Sequence, residues 1–110
     1  MFRKGAMRDR GIDITLNNPD HVLSPDDRDW VLDARFGKIP PEEFKTWYVN
    51  LLKQRLGTRK QEIIDLARKG MEEDILLKCY CKESSLYCHG KIASNFMNAV
   101  IKRMEEMSVS

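Results

Sequence analysis

The 110-residue sequence predicts an α/β fold: a small parallel sheet of about two strands packed by four helices, in the order β-α-α-α-β-α. Three observations predict it. Apolar residues make up 42% of the chain and charged residues 33%, enough for one compact core with a solvated exterior. Strand patterns occur at residues 11–17 and 75–81, with helical patterns between and after them. The long helical crossover between the two strands favours parallel pairing. A two-stranded sheet is thin, so the helices must supply most of the core or an edge must be shared in a homodimer.

Residues 1–10 carry Arg3, Lys4, Arg8 and Arg10 against Asp9, and show little periodicity. They are read as a flexible basic arm, with residues 11–107 forming the single domain. The arm holds a charge of +3 and the remaining hundred residues sum to −1, so the chain is not globally basic. Any nucleic-acid contact is therefore expected through this arm.

Ile12, Ile14 and Leu16 alternate with Asp13, Thr15 and Asn17, a period of two that predicts the first strand. Ser24, Pro25, Asp26 and Asp27 read as a helix start: a capping serine, a proline in the first turn and acids at the positive end of the dipole. Trp30, Val31 and Ala34 share a face of this first helix, and Gly37 suits the position just past its end. Pro40, Pro41, Glu42 and Glu43 open a second helix, whose stripe of Phe44, Trp47, Tyr48, Leu51, Leu52 and Leu56 follows the helical period until Gly57. Such a stripe can line a ligand groove, but core packing is the more common meaning.

Thr58 opens a third helix, with Gln61 placed for a capping box, and Gly70 closes it. Residues 75–81 read as the second strand, apolar at successive positions as in a strand covered on both faces. A last helix runs from about Cys88, with Ile92, Phe96, Met97, Val100 and Met104 on one side.

The strongest local signal is a cluster of Cys79, Cys81, Cys88 and His89. An odd cysteine count argues against a disulfide framework and suggests a reducing, cytoplasmic setting. No apolar stretch is long enough for a membrane span, so no membrane partner is expected. Cys79 and Cys81 lie two apart on a strand and project to the same side. Cys88 and His89 fall at a helix start, where free backbone N–H groups attract anions and stabilise a thiolate. Cys88 is thus a candidate nucleophile and His89 a candidate acid or base. Asp13, Thr15, Asn17, Cys79, Cys81 and Lys91 are candidates to line the same ligand site. The expected ligand is a small anion, such as a nucleotide or a nucleic-acid phosphate.

Two other readings of the cluster stay open. The three cysteines and His89 form a possible zinc set with the spacing C-x-C-x6-C-H, which lacks the usual C-x2-C knuckle. The cysteines can equally be small buried hydrophobes. Neither spacing nor composition specifies a cofactor. His21, isolated in a polar turn, is read as a surface residue with no role. Phosphate-binding glycine loops, H-E-x-x-H and G-x-S-x-G are all absent from the sequence.

Gly11-Ile-Asp-Ile-Thr, Asp29-Trp30, Glu42-Glu43-Phe44 with Tyr48, Leu76-Leu77-Lys78-Cys79-Tyr80-Cys81 and Tyr87-Cys88-His89 together resemble the domain-of-unknown-function family numbered 488. These are small bacterial, archaeal and phage proteins, and the resemblance covers the chain from Gly11 to about Arg103. It implies a compact α/β domain with the Cys-His pair at its site and a role in nucleotide or nucleic-acid metabolism. That family usually has Arg directly after Cys-His. Here the position is Gly90, followed by Lys91, which restores the charge but not the planar fork. A member altered in this way is expected to be weakened, or to serve as an interaction module that has lost the chemistry.

Overall fold

The computed structural model describes residues 1–5, 10–15, 18, 20–78 and 89–108. The chain runs β1 (Phe2–Gly5), β2 (Ile12–Asp13), α1 (Arg28–Arg35), α2 (Pro41–Thr58), α3 (Lys60–Glu72), β3 (Ile75–Lys78) and α4 (His89–Ser108). Among the described residues the architecture is mixed α/β with four helices and a small parallel sheet, as predicted, but the sheet has three strands rather than two, in the order β1-β3-β2. The last of the described strands, β3, lies in the centre.

The extra strand comes from the segment read as an arm. Phe2 pairs with Ile75 and Gly5 with Lys78 in parallel register, and Phe2 is only 2% exposed. One buried aromatic side chain and a row of ladder bonds outweigh the basic character of Arg3 and Lys4. The Ile75 N–H donates to the Met1 carbonyl at 2.9 Å, so the Phe2 backbone groups turn to the open side of the strand. There the Asn98 carboxamide from α4 takes both: Phe2 N–H donates to Oδ1 at 2.8 Å, and Nδ2 donates to the Phe2 carbonyl at 3.0 Å.

The predicted strand at residues 11–17 contracts to Ile12–Asp13. Ile14 still donates its N–H to the Lys78 carbonyl at 3.3 Å, and then the chain turns. In β3, Ile75 and Leu77 are buried while Leu76 and Lys78 are half-buried, so one face of the sheet carries the core. The both-faces covering expected for this strand is thus replaced by alternation. The Cys79 and Cys81 continuation lies outside the described residues.

Helix starts are displaced where tertiary contacts compete with local signals. The first helix begins at Arg28, capped by Asp27, whose side chain accepts from Trp30 N–H at 3.0 Å. Ser24 and Pro25 are instead buried in the preceding loop. Gly37, with φ of 77°, follows α1 as expected. Gly37 N–H donates to Ala34 and Lys38 N–H to Asp33, the paired bonds of a Schellman end. Gly57 and Gly70 do not terminate helices. Gly57 lies inside α2, and Gly70 lies inside α3 because the Phe2 ring occupies the space where a side chain would stand.

Helix α4 packs on β1 and β3 and receives α2 and α3 on its flanks, while α1 leans on α2. The aromatic stripe of α2 is core, as the packing reading holds: Phe44, Tyr48 and Leu52 are buried, and Trp47 stacks at a tilt on Trp30 with centroids 5.8 Å apart. No helix among the described residues is long and apolar enough to cross a membrane.

Candidate functional site

Parallel strands end together, and here Gly5, Lys78 and Asp13 make the last row of the described sheet, in register on β1, β3 and β2. Ligands of open α/β sheets collect outside this carboxyl edge. Lys78 and Asp13 put opposite charges side by side on it. The chain leaves the central strand at Lys78 and re-enters the described structure at His89, the first residue of α4. Cys79, Cys81, Cys88 and Asn17 lie outside the described residues, so of the candidate site the structure places Asp13, Thr15, His89 and Lys91.

Asp13 closes β2 by binding its own turn. Its Oδ1 accepts from Thr15 N–H at 2.8 Å and from Thr15 Oγ1 at 2.6 Å. The Asp13 carbonyl accepts from Asn18 Nδ2 at 2.8 Å. A short acid competing for nearby backbone donors is the reason the strand stops here. Thr15 is 2% exposed, so the structure seals this predicted lining residue and uses its hydroxyl to hold Asp13.

His89 is likewise only 2% exposed rather than open at a rim. Its ring meets the edge of Tyr48, with centroids 6.0 Å apart at 72°. The cause is helical spacing. Ile92 and Ala93, three and four residues on, are buried, so His89 belongs to the face that α4 turns inward. Lys91 is two residues on, roughly 200° around the helix, and is exposed. His89 and Lys91 therefore leave α4 on opposite sides, and the structure does not bring them together. In the same turn Ser94 Oγ donates to the Gly90 carbonyl at 2.7 Å.

Tyr48 links this region to a second cluster that sequence reasoning missed. Its hydroxyl donates to the Leu23 carbonyl. Two turns further along α2, Arg55 Nη1 donates to the carbonyls of Val22 (2.7 Å) and Ser24, and Arg59, the residue just past the end of α2, donates from Nη2 to that of Asp20 at 2.9 Å. Two side chains of α2 and the residue that ends it thus strap the loop at residues 20–24 through its own backbone. Arg55 falls on the stripe of Tyr48 and Leu52 at helical spacing, which was the available signal.

His21 sits in this strapped loop and is half-buried, not a bare surface residue. Its Nδ1 accepts from Leu23 N–H at 3.1 Å, so the proton of the neutral ring is on Nε2. Burial pushes its pKa below the ordinary histidine value. Arg59 and Arg55 add to that, while Glu62 and Asp13 oppose it. Together with Asn18, Asp20, Arg59, Glu62 and Lys69, His21 lines a cavity of about 600 Å³. Arg59 is held by Glu62 at 2.5 and 3.0 Å, which raises the arginine and lowers the carboxyl. The cavity thus mixes both signs of charge. Because Asn18 also grips Asp13, it opens beside the carboxyl edge of β2.

Among the described residues no group of three histidine, cysteine, aspartate or glutamate side chains could hold a metal ion. Comparison with family models, curated proteins and solved structures finds no match.

Proposed function

We propose that the carboxyl edge of the sheet binds a small anion, a nucleotide or a nucleic-acid-derived phosphate, with Cys88 as its reactive thiol and His89 as the group that sets the ionisation of that thiol. The supporting observation is topological: the central parallel strand ends at Lys78, level with Asp13, and α4 begins at His89 directly after the cysteine-bearing segment. Parallel edges followed by a helix start are the usual setting for phosphate. The resemblance to the family numbered 488 points to the same pair of residues. Burial of His89 against Tyr48 limits it to proton exchange with a neighbour inside the fold, which suits a partner of Cys88 better than direct contact with ligand.

The test is alkylation of Cys88 by iodoacetamide across pH, mapped by mass spectrometry, with and without AMP. The expected result is a thiol titrating well below about 8.5, protected by AMP, with His89→Gln moving the titration back upward. An ordinary titration with no protection by AMP overturns the proposal.

A further inference from the structure

A groove of about 950 Å³ runs between the C-terminal end of α2, the outer side of α3 and the C-terminal half of α4. Its apolar lining is Leu56, Ile64, Val100 and Met104, with the more exposed Met71 and Met107. Met71 is 45% exposed and Met107 71%. Among the described residues, every charged one lining it is a cation: Lys60, Arg68 and Arg103. On α3 the lining positions 60, 64, 68 and 71 follow a single face, distinct from the buried face of Ile63, Ala67 and Gly70. On α4 the positions 100, 103, 104 and 107 do the same. The acids Glu105 and Glu106 of α4 do not line the groove.

We propose that this groove docks an acidic amphipathic helix of another protein. Charge selects the occupant. A second copy laid groove to groove would oppose Lys60, Arg68 and Arg103 with their own kind, whereas a helix with glutamates beside its apolar stripe satisfies all three. Shape agrees. The eleven-residue step from Lys60 to Met71 spans roughly 16 Å at the helical rise, room for three turns of a partner helix. A concave channel receives a rod, not a flat bilayer. Flexible methionines in its lining adapt to varied apolar side chains. Val100 lies eleven residues along α4 from His89, so the groove is separate from the proposed anion site.

The test is fluorescence polarisation with a labelled peptide of roughly four helical turns, leucine at i, i+3, i+4 and i+7 and glutamate elsewhere, titrated with the full chain. The expected result is saturable binding, weakened roughly tenfold or more by the double variant Lys60→Glu with Arg68→Glu and by Met107→Asp, all exposed positions whose circular dichroism should be unchanged. A scrambled peptide and one with lysine in place of glutamate should bind no better than background. Equal binding of either control, insensitivity to the groove variants, preference for anionic vesicles over the peptide, or a dimer in sedimentation that the same variants dissolve would each overturn the proposal.

Discussion

The Asn98 carboxamide completes the backbone of Phe2, taking its N–H at 2.8 Å and giving a hydrogen to its carbonyl at 3.0 Å. A single side chain thereby stands in for a neighbouring strand along part of the outer edge of β1. Replacing it with leucine, alike in branching but without polar atoms, leaves two part-buried backbone groups unsatisfied. The expected loss is about 1–3 kcal/mol, read as a lower urea midpoint at unchanged slope. An unchanged midpoint would show that the amide contributes nothing net.

Gly70 sets two effects against each other. Alanine in a helix interior is favoured over glycine by about 0.5–1 kcal/mol. Here, however, the added methyl collides with the buried Phe2 ring. Overpacking of this kind costs about 1–3 kcal/mol, so Gly70→Ala is expected to destabilise. Combining it with Phe2→Leu should cost less than the sum of the two single changes, a coupling that a double-mutant cycle measures.

Arg55 is 8% exposed and serves the carbonyls of Val22 and Ser24, while its ion pair with Asp26 is long, at 3.8 Å, and the acid is 60% exposed. Burial pulls the guanidinium below its ordinary pKa with Asp26 opposing, and an arginine remains charged regardless. The carbonyl bonds should therefore dominate. Arg55→Met is expected to cost about 2–3 kcal/mol, whereas Asp26→Asn should cost under about 0.5 kcal/mol. Equal losses in thermal or urea unfolding would mean that the ion pair, not the strap, is what matters.

Protonation of His21 competes with the fold. Its pKa is lowered in the folded chain, chiefly by burial, and the charged ring cannot accept from Leu23 N–H. The unfolded chain therefore binds the proton more readily, and stability rises with pH. The contribution is complete above about 6.5, the unfolded value, and is lost as pH falls through the lower folded value. His21→Asn keeps an acceptor near the same place without a titrating ring. The difference in melting temperature between wild type and this variant should be flat from pH 8 to 7 and change in the variant's favour toward pH 5. A constant difference across the range would remove His21 from the account.

Most of the fold was legible because its signals are local. The period of two at Ile12 and Ile14 found β2, the prolines and acids at 40–43 found α2, and Gly37 found the end of α1. What local patterns missed is held from far away. The Phe2–Gly5 segment looks like a charged tail, and its partners are β3 and Asn98, over seventy and ninety residues on. Ser24 and Pro25 carry a helix start, but the Arg55 and Tyr48 contacts claim that loop and move the cap to Asp27. At the candidate site, the carboxyl edge and the opening of α4 were readable from order alone. The burial of His89 is legible too, since Ile92 and Ala93, three and four residues on, share its face.

Placing the last-made strand in the middle of the sheet also dictates when it can exist. On the ribosome, β1 and β2 emerge well before β3, and neither adjoins the other in the described ladder. Each must wait, unpaired, until Ile75–Lys78 arrives between them. Contacts of such long sequence separation slow folding and prolong the life of sticky, half-formed chains. Newly made copies should therefore depend on chaperone shelter more than their modest size suggests.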